Sequence, residues 1–188
     1  MAKIEWKAGN MLYPLPAVMV SVTDGEGEDN IITIAWAGTI SSDPAMVSIS
    51  VRPGRHSYEM IKKTGEFVIN LTTEDLVYAT DYCGVKSGRD VDKFKEMKLS
   101  KEQGSYVRAP MIAESPVNIE CKVVKMEELG VHHMFLAEVL AVHVDDKYMN
   151  ENNKFRLDEA KPLVYSHGEY YSMGKLLGTF GYSVKKKK

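Results

Sequence analysis

The chain has 188 residues, of which 44% are hydrophobic and 27% are charged, and its formal net charge is −2. This length favours one domain with a buried core, and the slightly acidic balance argues against a general nucleic-acid binder, which is normally basic. Two distant cysteines, Cys83 and Cys121, no signal-peptide pattern and no apolar run near the ~20 residues of a membrane span lead us to expect a cytoplasmic protein.

The first elements form a hairpin. Residues 13–16 are a stiff, Pro-containing entry into an apolar strand at 17–23. Residues 24–30 are rich in Gly, Asp and Asn and are typical of a turn. A second strand, rich in β-branched residues, follows at 31–36 and ends on Trp36.

The next stretch carries the clearest functional pattern. Small residues at 37–43 predict a corner, alternating residues at 46–51 predict a strand with one buried face, and a helix begins near His56 and Ser57. Arg52 and Arg55 lie between that strand and the helix. A helix start offers unpaired N–H groups and arginine offers bidentate donors, so the pattern indicates a phosphate site.

A simpler interpretation of the same residues stays open at this point. Arginines near turns are usually solvated, and Ser57 could serve only as the helix N-cap. The sequence pattern alone does not decide between a solvated turn and an anion site.

The remaining elements are short helices and longer strands. A helix at 58–63 can end at Gly65, and a strand follows at 66–71. Thr72 and Asp75 have the spacing of a helix N-terminal box, and the helix after them ends at Cys83 and Gly84. The later segments are a loop at 85–90, a helix at 91–97, an irregular stretch at 100–116, strands at 118–126 (bulged near 123–124), 132–144 and 162–165, and an aromatic segment at 167–171.

At least six strands against three short helices, with no βαβ rhythm, predict a mainly β fold. A closed or nearly closed antiparallel barrel fits best, because closure removes exposed sheet edges. Lysines cluster at the end of the chain, and we expect residues 184–188 to be a basic flexible tail.

Several kinds of chemistry are poorly supported. His132, His133 and His143 lack zinc-ligand spacing, and Cys83 at a helix C-terminus would have its thiolate disfavoured by the dipole. No nucleophile elbow, Walker loop or Rossmann glycine motif occurs. We therefore predict no metal site and no dedicated catalytic residue.

What remains is an arginine-flanked anion corner, a turn of small residues beside Trp36, and aromatic residues at 165–171. Backbone N–H groups and hydroxyls at 37–42 could bond the polar edge of a flat ligand that approaches closely. A flat aromatic heterocycle with a phosphate tail satisfies all three features.

The chain resembles the flavin reductase-like FMN-binding split barrels, and within them the flavoredoxin branch. The matching segments are spread, in the family's order, over most of residues 10–175. They are IITIAWAGTISSDP at 31–44, SVRPGRHSYEMI at 50–61, GEFVINL at 65–71, DYCG at 81–84, SGRDVDKF at 87–94 and PLVYSHGEYYSMG at 162–174.

The resemblance implies a six-stranded Greek-key split barrel spanning 1–188, a homodimer, and one FMN per subunit near the dimer interface. It places the isoalloxazine ring against the turn after the second strand, the phosphate near the next helix start, and two further segments over the flavin. The implied cofactor-binding residues are Trp36, Ala37, Gly38, Thr39, Ile40, Ser41, Ser50, Val51, Arg52, Arg55, His56, Ser57, Tyr82, Cys83, Gly84, Ser87, Lys93, Phe94 and Tyr170, with Tyr171 as a less direct candidate.

The electron donor stays open. His167 could match the terminal histidine with which NAD(P)H-using members contact the nicotinamide, but the surrounding Gly-Glu-Tyr-Tyr fits the flavoredoxin pattern better. Three functions follow: an FMN oxidoreductase fed by NAD(P)H or an electron-transfer protein, a flavin reductase with exchangeable FMN, and a non-enzymatic barrel that binds a partner. None of them calls for nucleic acid or a membrane.

Overall fold

Antiparallel strands dominate the computed structural model, which describes residues 1–185. Seven of the strands form the main sheet, in the order β3-β2-β6-β9-β10-β5-β4. The strands are β1 (Leu15–Pro16), β2 (Val18–Thr23), β3 (Asp29–Ile34), β4 (Ala37–Ser42), β5 (Ala45–Val51), β6 (Glu66–Leu71), β7 (Lys101–Glu102), β8 (Met111–Ile112), β9 (Val117–Leu129), β10 (His132–Val144), β11 (Leu163–Ser166) and β12 (Glu169–Ser172).

The two edges of this sheet meet. β3 and β4 lie at opposite ends of the strand order, yet only Ala35 and Trp36 separate them in the chain. The sheet must therefore curl until its edges adjoin. The Ser50 N–H donates to the Trp36 carbonyl at 2.8 Å, which extends the β4–β5 pairing up to the junction with β3. This arrangement and the solved relatives described below confirm the expected mainly β split barrel.

The predicted corner at 37–43 is wrong in part. Residues 37–42 form strand β4, paired with β5, and the turn is confined to Asp43 and Pro44. Small residues have little β preference of their own, but the neighbouring strand supplies the pairing that overrides it. The main sheet consequently has seven strands instead of six.

The core lies on both faces of β2, all of whose residues are buried. Val18, Val20 and Val22 belong to the barrel interior, together with Phe67 and Phe135. The alternate residues face outward, where the helices and the loop that precedes β9 cover them. Burial on both faces explains why β2 is apolar almost throughout.

Three α-helices cover the barrel: α1 (His56–Thr64), α2 (Val77–Val85) and α3 (Lys93–Glu96). Helix α1 ends as predicted at Gly65, whose φ of 66° allows its N–H to donate to the Ile61 carbonyl at 2.7 Å. Helix α2 and α3 bury a second apolar cluster against β2 and β3. Their packing places the ends of all three helices near the start of β3.

Two details of the α2 region correct the sequence prediction. Thr72 is not part of a helix N-terminal box, because its hydroxyl is buried and donates to the Ala17 carbonyl. A short 3₁₀ turn at Glu74–Leu76 leads into α2, and its N-cap, Thr73, makes no side-chain cap. The helix also continues through Cys83 and Gly84 to Val85.

The long β9–β10 hairpin confirms the predicted strand at 132–144 and the predicted bulge. The pairing register shifts between Leu136 and Ala137, opposite Lys125 and Val123, which leaves Val124 as the extra residue. Strand β11 pairs with both β1 and β12 in a small second sheet that carries the aromatic segment. Of the expected basic tail, residues 186–188 lie outside the described part of the chain.

Candidate functional site

A polar cavity of about 240 Å³ lies where the three helices approach β3. The start of α1, the end of α2 and the loop between α2 and α3 form its walls. This polar cavity is lined by Asn30, Ile32, Gly54, Arg55, His56, Ser57, Cys83, Gly84, Lys86, Ser87, Gly88, Arg89 and Lys93. Seven of the residues implied by the resemblance, far apart in sequence, are therefore brought together here, and five of the lining side chains can carry positive charge.

Lys93 is the most informative of these residues. Its side chain is only 4% exposed, and its ammonium donates to the carbonyl oxygens of Ile31 at 2.6 Å and Cys83 at 2.8 Å. Within residues 1–185, no carboxylate lies within ion-pair distance of it. The pKa of Lys93 is lowered to about 8, mainly by burial and to a smaller extent by the Arg55 guanidinium, against an opposing effect of Cys83. A buried cation without a counter-ion points to an anionic ligand.

The start of α1 is also open to a ligand. Arg55 is the N-cap residue, and it makes no side-chain cap, so the N–H groups of His56 and Ser57 keep their donor capacity. Ser57 is buried and accepts a hydrogen bond from the Asn30 amide at 2.9 Å, so it is not the simple N-cap considered above. His56 Nε2 lies 2.6 Å from a Glu28 carboxylate oxygen.

Cys83 lines the same cavity but is not a nucleophile. Its thiol is fully buried, and burial raises its pKa to about 11. The expected suppression of the thiolate is thus correct, and desolvation is its main cause. The neighbouring Gly84 allows helix α2 to approach strand β3 closely, because a Cβ at position 84 would lie only 3.3 Å from the Thr33 side chain.

A middle cavity of about 270 Å³ adjoins the polar one and shares Ile32 and Arg55 with it. Arg52 faces this middle cavity and a shallow depression at Gly130 and Val131, but it does not line the polar cavity. The middle cavity is lined by Ile32, Thr33, Ile34, Ala35, Trp36, Ser50, Val51, Arg52, Arg55, His132 and Tyr165. Both arginines therefore line the middle cavity, and only Arg55 also lines the polar cavity.

His132 was considered above only as a poor candidate for a zinc ligand. The structure instead places it in the middle cavity, with its ring centroid 6.4 Å from that of Trp36. Burial, and then the positive charge of Arg52, lower the pKa of His132 below 6.5. Both effects favour the neutral imidazole.

An apolar cavity of about 680 Å³ continues from the middle one and shares Trp36 and Ser50 with it. One wall is the edge strand β4, and the other is the N-terminal segment at 9–15. The full lining is Gly9, Asn10, Met11, Leu12, Tyr13, Leu15, Trp36, Ala37, Gly38, Thr39, Ile40, Ser48 and Ser50. The three cavities thus form one trough that runs from cationic to apolar.

Among the implied site residues in the described part of the chain, Ser41, Tyr82, Phe94 and Tyr170 line none of these three cavities. Phe94 is buried in the cluster under α2 and α3. Tyr82 stacks on Tyr78, and the Tyr170 hydroxyl donates to Asp81 at 3.2 Å.

Sequence reasoning missed other residues of the trough. Arg89 belongs to the segment SGRDVDKF but was not singled out, although its Nη1 donates to the Gly54 carbonyl at 3.1 Å beside the polar cavity. Asn30 and Lys86 gave no local signal. They reach the trough only through the packing of distant loops.

Two features are absent from residues 1–185. No group of three or more His, Cys, Asp or Glu side chains is arranged to hold a metal ion. No helix there is both long and apolar enough to cross a membrane.

The sequence profile of the flavin reductase like domain family matches residues 10–174. The chain belongs to this family. The flavoredoxin of Desulfovibrio vulgaris (Miyazaki F) is a close structural relative, 30% identical with a TM-score of 0.91 over 98% of this chain and 100% of its own. The flavoredoxin of Methanosarcina acetivorans is 27% identical with a TM-score of 0.88 over the same shares.

A curated relative extends the comparison to an enzyme of stated activity. The NADH-dependent FMN reductase AsuE2 of Streptomyces nodosus subsp. asukaensis is 26% identical over 172 residues, which are 91% of this chain and 85% of that protein. Together, these matches confirm the resemblance found in the sequence. They support a flavin-related redox role for the family member described here.

Proposed function

We propose that this protein is an FMN-dependent oxidoreductase of the flavoredoxin type, which moves electrons from NAD(P)H or an electron-transfer protein to an acceptor. The observation that carries the proposal is the buried Lys93 ammonium, which lines the polar cavity beside Arg55 and has no carboxylate partner among residues 1–185. A terminal phosphate supplies the missing negative charge. Neutral ligands would leave that charge uncompensated.

The trough matches the parts of FMN in order. Arg55, Lys93, Ser87 and the first N–H groups of α1 would hold the phosphate in the polar cavity. Ser50 and the other polar side chains of the middle cavity suit the hydroxyls of a ribityl chain. The apolar cavity would take the ring.

Strand β4 supports the placement of the ring. It is the last strand of the sheet and, among residues 1–185, pairs only with β5, so its other edge carries backbone donors and acceptors without sheet partners in the described part of the chain. Such an edge can bond the alternating N–H and C=O groups of a flat heterocycle, while Trp36 and Ile40 contact its apolar surface. When bound, FMN supplies the redox chemistry. The protein supplies position, exclusion of water and hydrogen-bond donors, so no dedicated catalytic residue is required.

A homodimer is part of the proposal. Ile4, Trp6 and Leu12 are exposed in the N-terminal segment, and Leu12 also lines the apolar cavity. Exposed apolar residues of this kind suit an interface with a second subunit close to the ring. Sedimentation equilibrium should give twice the mass of the 21.1 kDa chain.

A second candidate function is a flavin reductase in which FMN enters and leaves as a substrate. The similarity to the NADH-dependent FMN reductase AsuE2 favours it. The two candidates differ in retention: a resident cofactor stays with the protein through gel filtration and gives a yellow fraction, whereas an exchangeable substrate is lost. Anaerobic addition of NADH or NADPH to the same fraction, followed by absorbance, then identifies the donor.

The two arginines provide a matched test of the phosphate assignment. Arg55→Ala should weaken FMN binding roughly 10- to 100-fold, because a charged hydrogen bond contributes about 1.5–3 kcal/mol. Arg52→Ala should have a smaller effect, since Arg52 does not line the polar cavity. Flavin fluorescence titration measures both. Equal affinities of Arg55→Ala and the unaltered protein would contradict the assignment.

A further inference from the structure

We propose that Lys93 couples the retention of a phosphorylated flavin to proton uptake, so that FMN is held near neutral pH and released as the solution becomes alkaline. The inference rests on the proposed function, because it concerns how the same cavity binds the phosphate of FMN.

The geometry around the ammonium allows such coupling. A protonated lysine has three N–H donors, and two of them are used by the carbonyl oxygens of Ile31 and Cys83. The third remains for a ligand in the polar cavity that Lys93 lines. Carbonyl oxygens orient the group, but they bring no negative charge that would hold the proton in place.

The neighbouring groups also favour loss of that proton in the absence of a ligand. Arg55 from the start of α1, and Lys86 and Arg89 from the loop after α2, add positive charge to the same cavity. The Cys83 thiol from α2 has a pKa of about 11, so it is neutral at pH values below that. His56 on α1 is the remaining titratable group in the lining, and it is paired with Glu28 at 2.6 Å.

The sign of the effect follows from these charges. Burial and Arg55 lower the pKa of Lys93 to about 8 in the ligand-free protein, so the amine becomes neutral above that pH. A bound dianionic phosphate favours the ammonium and raises its pKa again. A phosphate ester with a second pKa of about 6 is already dianionic above pH 7. Above pH 8, FMN binding must therefore take up a proton, and affinity should fall by up to about tenfold per pH unit.

The unaltered protein provides the primary test. FMN and riboflavin are titrated into it between pH 7 and pH 9.5, and proton uptake is followed with a pH indicator in weak buffer. We expect the preference for FMN over riboflavin to decline more than tenfold across this range, with close to one proton taken up per FMN at pH 9. Riboflavin has the same ring without the phosphate, so titration of the ring itself would affect both ligands equally.

Three variants locate the effect. Lys93→Met should lose most of the preference for FMN and show no pH dependence above pH 8, whereas Lys93→Arg, with a fixed charge, should keep the preference at all pH values. Lys86→Met is the matched control, because Lys86 lines the same cavity but is exposed. It should bind FMN more weakly and retain the pH dependence.

The outcomes separate the two proposals. If FMN binds no more tightly than riboflavin at pH 7, the proposed function is contradicted. If the preference exists at pH 7 but stays constant to pH 9.5, or if Lys93→Met declines as steeply as the unaltered protein, only the role of Lys93 is contradicted.

Discussion

Replacement of Glu120 by Gln should destabilise the protein by about 3 kcal/mol, because the change removes a buried charge that has a complete set of donors. The Glu120 carboxylate is 0% exposed. It accepts from the N–H groups of Ser105 at 2.8 Å, Tyr106 at 2.7 Å and Val107 at 2.8 Å, and it lies 2.6 Å from His143 Nε2. A Gln amide would direct its own N–H groups at some of these donors.

Thermal unfolding measures the effect, which should be a decrease in Tm of about 10 °C for a chain of this length. Glu138→Gln is the control, since Glu138 lies on the adjacent strand and is exposed. It should leave Tm within about 2 °C of the unaltered protein. Equal, small changes in the two variants would show that the Glu120 contacts contribute little to stability.

Acid should have a related effect on the unaltered protein. Burial raises the pKa of Glu120, but His143 and the three backbone donors outweigh this and lower it from 4.5 to about 2. A group whose pKa is lower in the folded state stabilises the fold fully above its unfolded value. The contribution should therefore be present above pH 4.5 and disappear between pH 4.5 and about pH 2. Glu120→Gln should lack this part of the acid dependence.

Replacement of Asn70 by Leu should also lower the free energy of unfolding strongly, by about 3–5 kcal/mol. The Asn70 side chain is 0% exposed, and its amide donates to the Met19 carbonyl at 3.0 Å and the Ser21 hydroxyl at 2.9 Å. Its oxygen accepts from the Ile112 N–H at 3.0 Å and the Asn118 amide at 2.8 Å. Leucine would leave these buried donors without partners, at about 1–3 kcal/mol each.

A double-mutant cycle tests the network directly. Asn70→Leu, Asn118→Leu and the double variant are compared by urea unfolding. We expect the double variant to be less destabilised than the sum of the single variants, by about 1–2 kcal/mol, because residues in one network are coupled. Strict additivity would mean that the bond between the two amides has no independent energetic role.

Much of the barrel could be predicted from local patterns. The strands at 66–71 and 132–144 have the predicted bounds, and Gly65 ends α1 as expected. A run of strand-forming residues and a glycine suited to the left-handed conformation are signals contained within a few residues of the sequence. Such local signals can be recognised without knowing which distant residues pack against the segment.

Strand β4 could not be predicted in this way. Residues 37–42 are mostly small, and they form a strand because β5 lies beside them. The role predicted for Thr72 was also wrong. Its hydroxyl donates to the Ala17 carbonyl, 55 residues away in the sequence, and the local spacing of Thr72 and Asp75 does not reveal that partner. Both differences come from partners distant in sequence.

The candidate site was only partly predictable for the same reason. Arg55, Ser57 and Lys93 line the polar cavity as the resemblance implies, whereas Phe94, adjacent to Lys93 in the single turn of α3, belongs to the apolar cluster. His132 and the N-terminal wall at 9–15 enter the trough through strand pairing and chain packing. Local sequence gave no indication of either.

The relative affinity of FMN and riboflavin at pH 7 tests the central claim most directly, because the two ligands differ only in the phosphate. If Arg55 and the buried Lys93 ammonium hold that phosphate, FMN should bind at least about 100-fold more tightly, as two charged hydrogen bonds require. Equal affinity for the two flavins, or no affinity for either, would contradict the assignment of the trough to FMN.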